Sequence, residues 1–268
     1  MSRGTDMRVK VKDVQVEYEL SGKAGAPVVM LSHSLGSSLV MWEPQMRALE
    51  PDYQVLRYDT RGHGRTDAPT GPYTLEQLGE DAIGLVDALS IDVAHWVGLS
   101  LGGMIGQYLA LNQPHRLRSL VLCDTAADLP KEGQAMRQER IETARNKGMQ
   151  ALQQPTLERW FTPPFLKQNS QEVTLIRNQF LATPAAGYIG CSEAIKGLNY
   201  LGRLCEIKIP TLIIVGEEDP GTPVAASEAM HKRIPDSKLV VLPAAAHLSN
   251  VEQADAFNRT VLDFLREH

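Results

Sequence analysis

What most constrains the fold of this chain is a series of short apolar runs that do not alternate with polar residues. They are VVMLS at 28–32, YQVLRY at 53–58, VAHWVGL at 93–99, SLVLC at 119–123, TLIIVG at 211–216 and KLVVLP at 238–243. A strand with one wet face alternates, whereas a continuous run suits a strand covered on both faces, as in a parallel sheet flanked by helices. Helical patterns lie between the runs. Residues 74–90 carry Leu75, Leu78, Ile83, Val86 and Leu89 near the helical period, and Thr74 with Gln77 fits a capping box. Residues 251–266 repeat the pattern with Val251, Ala254, Phe257, Val261, Phe264 and Leu265. This alternation predicts an α/β fold. Two earlier segments, VKVKD and VQVEYEL, do alternate, and predict an antiparallel hairpin leading into the sheet. The total is eight strands, mostly parallel.

The rhythm breaks between about 125 and 205. No strand-like run occurs there, helical stretches such as MRQERIETARNKGMQAL and TLERWF do, and Pro130, Pro155, Pro163, Pro164 and Pro184 punctuate them. Strand rhythm resumes at Ile209. The expectation is a core made of 1–124 and 206–268, with a helical cap, 125–205, inserted between two of its strands. Composition narrows the class. With 43% hydrophobic and 22% charged residues, the 268-residue chain is neither a disordered chain nor a coiled coil. A net charge of −5 leaves no basic footprint for nucleic acid. Cys123, Cys191 and Cys205 are odd in number and form no C-x-x-C pair, which argues against a disulfide framework and a thiolate zinc site. No Cys/His/Asp cluster has ligand spacing, so neither a metal nor another cofactor is expected. The first ten residues lack the apolar centre of a signal peptide, and no run approaches the ~20 residues of a membrane span. A cytoplasmic enzyme with a small-molecule substrate is expected, with no nucleic-acid or membrane partner.

The sharpest local signal is Gly98-Leu99-Ser100-Leu101-Gly102, after the run VAHWV and before the helical GGMIGQYLALNQP. This is a G-x-S-x-G elbow in its strand–turn–helix context. The turn strains the serine, the flanking glycines relieve crowding, and the new helix aims its first N–H groups at the serine oxygen. A serine hydroxyl is a weak nucleophile until a base takes its proton. Of the seven histidines, His247 follows the last strand and precedes the last helix, the base's place in the order serine, acid, histidine that accompanies this elbow. His95 falls within a strand, His115 and His231 on helix or loop surfaces, and His268 at the terminus; His33 and His63 lie in loops after strands. The acid that should hold the second imidazole nitrogen is Asp219, past the end of TLIIVG, with Asp124 after SLVLC as its competitor. The alternative role for Asp124 is to cap the turn into the helical insertion. An oxyanion hole would take the N–H of Leu101 and one from the His33-Ser34-Leu35-Gly36 loop, with Leu35 as the choice; His33 is expected to brace that loop.

With HSLGSS, YDTRGHGRTDAP, GLSLGG, GEEDPGTP and AAHLSN, the chain resembles the α/β-hydrolase superfamily over essentially its whole length. Within it, SLGSSLVMWEPQ, LRYDTRGHG, GPYTLEQLGED, LCDTAA and HLSNVEQADAF are most similar to the 3-oxoadipate enol-lactonases. The resemblance implies a cofactor-free Ser-His-Asp hydrolase that opens a lactone or small carboxylic ester through an acyl-enzyme. Related chemistries with the same triad stay open: a general carboxylesterase, an acyl-homoserine lactone hydrolase, a carbon–carbon bond hydrolase, or a receptor that keeps the triad for binding. The cap holds Trp160, Phe161, Phe165, Phe180, Leu175 and Ile176 for an acyl chain, and Arg137, Arg140, Arg145 and Arg177 for an acidic one. Family lactonases place an aromatic and an arginine three residues apart on the first cap helix. Here Arg140 matches that arginine, and Arg137 stands in the aromatic's place. The substrate-binding residues implied are Arg140, with Trp160 as apolar lining. The other expectation for Arg140 is a solvated face paired with Glu139 or Glu142.

Overall fold

A computed structural model describes residues 7–268. The absence of a leader, read in part from residues 1–6, concerns a segment outside them. Eight strands form one sheet: β1 Met7–Val11, β2 Val14–Gly22, β3 Val28–Ser32, β4 Gln54–Tyr58, β5 Ala94–Leu99, β6 Leu117–Cys123, β7 Thr211–Gly216 and β8 Lys238–Leu242. Their order is β1-β2-β4-β3-β5-β6-β7-β8. β2 runs antiparallel to both β1 and β4, and every other pair is parallel. The sequence pattern explains the positions. β5 and β7 are buried along their whole length, as their continuous runs require. β1 alternates and pairs with β2 as a hairpin. β8 also reads as a continuous run, yet it is the edge strand, and Val241 is 39% exposed.

Eleven α-helices accompany the sheet among the described residues: α1 Glu43–Leu49, α2 Leu75–Ala88, α3 Leu101–Asn112, α4 Lys131–Lys147, α5 Gln150–Trp160, α6 Pro163–Lys167, α7 Gln171–Ala182, α8 Ala185–Lys196, α9 Val224–His231, α10 Ser249–Glu252 and α11 Ala254–Arg266. α2 starts as its cap predicts, with the Thr74 hydroxyl accepting the Gln77 N–H at 3.0 Å. The helix expected over 251–266 is two helices. It breaks at Gln253 (φ −121°, ψ 47°), and the break lets the Glu252 carboxylate accept the N–H groups of Ala246 and Thr162. α11 then buries Phe257, Val261, Phe264 and Leu265 on one face, each side chain contributing on the order of 1.5–3 kcal/mol.

α4 to α8 all lie between β6 and β7. The two ends of this excursion meet at an antiparallel bridge between Asp128 and Asn199, where the Tyr200 N–H also donates to the Ala127 carbonyl. Buried side chains of these helices, among them Leu152, Leu157, Ile176 and Phe180, join the apolar core of the sheet layers. The helices are therefore packed onto the sheet's C-terminal edge, above the end of β5.

Candidate active site

At the end of β5 the chain turns sharply into α3, and Ser100 sits at the apex with φ 55° and ψ −110°. A side chain at positive φ costs of order 1–3 kcal/mol and persists only where its surroundings hold it. They do so here. The Ser100 N–H donates to the Cys123 carbonyl, and the Ser100 carbonyl accepts the Met104 N–H and the Thr125 hydroxyl. The flanking glycines are required by space. A Cβ at Gly102 would stand 2.1 Å from the Ser32 carbonyl oxygen, and one at Gly98 would stand 2.2 Å from the Gly102 carbonyl oxygen.

His247 lies in the loop between β8 and α10, and its Nδ1 is 2.7 Å from Asp219 Oδ2. Asp219 sits in the turn after β7, buried, beside the exposed Glu217 and Glu218. It also accepts the Gly221 N–H at 2.7 Å, the Thr222 N–H at 3.1 Å and the Thr222 hydroxyl at 2.6 Å. Burial works to raise its pKa. The charge of His247 and the hydrogen bonds from His247 and Thr222 outweigh that, so the carboxyl is held below its ordinary value. An ionised carboxylate on one imidazole nitrogen orients the ring and favours a proton arriving on the other.

Asp124 is also buried, with a different task. Its Oδ1 accepts the Gly216 N–H at 2.8 Å and its Oδ2 accepts the Ser249 hydroxyl at 2.6 Å. It ties the end of β6 to the end of β7 and to the segment after His247. The expected capping of the turn into the cap gives way to this brace, because its carboxyl points into the sheet end. Burial and the charge of Asp219 push its pKa well above the ordinary value, opposite in direction to the shift of Asp219.

The loop after β3 carries Leu35, which like Leu101 is buried. Neither backbone N–H donates to a protein acceptor among the described residues. Two histidines hold this loop. His33 Nδ1 lies 2.8 Å from the Ser34 carbonyl and its Nε2 accepts the Thr60 N–H, while His63 Nε2 accepts the Gly36 N–H at 2.9 Å. Arg61, paired with Asp81 and Asp13, anchors the segment that delivers His63. Both imidazoles are buried, and burial lowers His33 to about 3 and His63 to about 4. The unfolded chain takes a proton near pH 6.5 and the folded His63 refuses it until about 4, so stability falls as pH drops through that interval. His63→Gln should be less stable than wild type at pH 8. The gap should shrink by about 3 kcal/mol between pH 6.5 and 4, since only the wild type carries the penalty. Urea denaturation of both proteins across that range checks this, and a gap independent of pH would contradict it.

Ser100, His247, Ser34 and Leu35 face one cavity. The helices above supply the rest of its wall: Arg137 and Arg140 from α4, Thr156, Arg159 and Trp160 from α5, and Tyr188 from α8. Arg140 does not face water beside a glutamate. Its Nε donates to the Tyr188 hydroxyl at 3.0 Å and its Nη2 to Thr156 Oγ1 at 2.5 Å. Arg145 is exposed, and neither it nor Arg177 lines the cavity. Of the cap's apolar candidates only Trp160 does. Phe180 packs edge-on behind it with ring centroids 5.6 Å apart, Phe161 stacks on Phe165, and Leu175 points outward at 36% exposure. Arg159, Thr156 and Tyr188 were not among the sequence candidates. The signal was present, since positions 156, 159 and 160 fall on one helix face and 137 and 140 on another.

A family model of the alpha/beta hydrolase fold matches residues 27–254. The chain belongs to the α/β-hydrolase family. It is 40% identical to 3-oxoadipate enol-lactonase 2 of Acinetobacter baylyi over 250 residues, 93% of this chain and 92% of that one. Among solved structures, the enol-lactonase from Burkholderia xenovorans superposes with a TM-score of 0.93 at 40% identity, covering 97% of this chain and 100% of that one. A hydrolase from Pseudomonas aeruginosa reaches 0.94, also at 40% identity, covering 98% and 99%. The eight-stranded, mostly parallel sheet is therefore the α/β-hydrolase sheet that the resemblance implies. No described helix of this α/β-hydrolase is long and apolar enough to cross a membrane.

Proposed function

We propose that this α/β-hydrolase is a cofactor-free serine hydrolase that opens a small acidic lactone, with 3-oxoadipate enol-lactone as the substrate. The observation that carries the reading is the strained Ser100 in one cavity with His247, whose far nitrogen rests on Asp219. Ser100 Oγ attacks the lactone carbonyl as its proton passes to His247 Nε2. Asp219, on Nδ1, fixes the tautomer and stabilises the imidazolium. The oxyanion is held by the N–H groups of Leu35 and Leu101, at the start of α3, where the helix dipole also favours negative charge. The ring C–O bond breaks, and His247 returns its proton to the leaving oxygen. That oxygen stays tethered to the acyl group, so product departs only after His247 activates a water to attack the acyl-enzyme.

Segment 125–205 serves as the cap, and 1–124 with 206–268 as the core that carries the triad. Arg140, braced by Tyr188 and Thr156, binds the substrate's carboxylate, and Trp160 packs on its ring. The cap's phenylalanines lie outside the cavity, which favours a short acidic acyl group over a long aliphatic one. The free thiols of Cys123, Cys191 and Cys205 suit the reducing cytoplasm.

Turnover of the enol-lactone beside an uncharged aryl ester, in wild type and Arg140→Ala, tests the reading. Losing a charge-assisted hydrogen-bonded pair should lower kcat/KM for the acidic lactone about 10- to 100-fold more than for the ester. An equal fall for both would remove the carboxylate site and bring the uncharged-ester reading forward.

A further inference from the structure

His247 is held by more than Asp219. The peptide N–H groups on either side of it both have acceptors far off in the chain or beyond the loop: that of Ala246 donates to Glu252 Oε2 at 3.0 Å, and that of Leu248 to the Trp160 carbonyl at 3.0 Å. The same Glu252 carboxylate accepts the Thr162 N–H, 3.1 Å from Oε1, and the Thr162 hydroxyl. Trp160 ends α5 and, with Arg159 and Thr156 of that helix, forms part of the cavity wall. One carboxylate therefore joins the loop of His247 to the end of the helix that faces it. Glu252 is well placed for this. It ends α10, a single turn rooted in the core: Asn250 Nδ2 donates to the Met41 carbonyl at 3.1 Å and to Gln45 Oε1 at 3.0 Å, and the Ser249 hydroxyl donates to Asp124. Thr162 stands at the start of α6, where Pro163 and Pro164 carry no N–H for it to cap, and its hydroxyl donates to Glu252 instead.

Glu252 forms no ion pair among the described residues, so its charge is met by these N–H and O–H donors alone. Hydrogen bonds to a carboxylate are roughly twice as strong as neutral ones, and they are directional. Burial of Leu157 and Phe161 docks the end of α5, but apolar burial has no direction and does not fix the base to within a fraction of an ångström. A misplacement of about 1 Å at a reacting group can cost about 100-fold in rate. We propose that Glu252 is a positioning residue of this hydrolase: it holds the His247 loop and the α5 wall in one register, so that the imidazole meets Ser100 and the seated substrate together. This rests on the hydrolase reading above.

Glu252→Gln tests it. The amide puts an NH2 group where one of the two oxygens stood, so either Ala246 or Thr162 loses its acceptor. On an aryl ester kcat should fall about 10- to 100-fold with KM changed less than about threefold. The rate of fluorophosphonate labelling should fall by a similar factor, because it needs the same base. Thr162→Val keeps the N–H bond and removes the hydroxyl; it should lower kcat about fivefold, and Thr162→Ser should recover most of that loss. Thermal melts show which variants are folded, and if Glu252→Gln is not, the Thr162→Val rate decides. The proton on His247 Nδ1, followed as a downfield resonance by NMR, should shift or broaden in Glu252→Gln. A merely structural Glu252 would lower the melting temperature and leave kcat at its wild-type value. That result, or a raised KM with kcat kept, would overturn the proposal. If Ser100→Ala turns the ester over as fast as wild type, the hydrolase reading fails on its own, and the His247 resonance still decides whether Glu252 sets the position of that ring.

Discussion

Ser100→Ala is expected to lower kcat for lactone or ester hydrolysis by about 10⁴- to 10⁶-fold. The size follows from the arrangement. In the proposed mechanism no acyl-enzyme forms without the hydroxyl, and only the N–H groups of Leu35 and Leu101 and the binding wall are left to act on the carbonyl. The fold should survive, because alanine meets the same backbone conformation and the bonds that hold position 100 are made by its N–H and carbonyl. A thermal melt of the variant checks this. A fluorophosphonate should label wild type at Ser100, as mapped by peptide mass spectrometry. A label at another serine, with activity kept in Ser100→Ala, would defeat the assignment.

The second large effect separates the two buried carboxyls. Asp219→Asn should lower kcat about 10⁴-fold, since an amide cannot hold the imidazole in the tautomer that leaves Nε2 free to take the serine proton. Asp124→Asn should cost only about fivefold, the scale of one hydrogen bond. Burial raises the Asp124 pKa, and an amide oxygen can still accept the Gly216 N–H or the Ser249 hydroxyl. Steady-state rates of the two variants on one ester suffice. The opposite ranking would move the acid from the end of β7 to the end of β6.

Much of this protein is local physics and therefore legible in the chain. Continuous apolar runs announce strands covered on both faces, and the antiparallel hairpin shows in the alternation of β1. Ser100 is readable because a positive φ between a strand and a helix demands small neighbours, and Gly98 and Gly102 supply them. Asp219 and His247 are readable because each follows a strand end in the expected order. The side chain of Asp219 turns inward while those of Glu217 and Glu218 stay in water.

What the sequence could not determine depends on how elements far apart in the chain meet. Asp124 and Asp219 both follow strands, and only the packing shows one touching His247 while the other braces Gly216 and Ser249. His33 and His63 look alike as loop residues until their rings are seen buried against the N–H groups of Thr60 and Gly36. The pocket wall is the clearest case. An arginine on a polar helix belongs by default to the solvated face, and the pattern of α4 does not say which face that is. Docking α4, α5 and α8 over the end of β5 turns Arg137, Arg140 and Arg159 toward Ser100 and sends the cap's phenylalanines into the core. Residue spacing fixes which side chains share a helix face, whereas the direction of that face is set by the long-range burial of apolar surface.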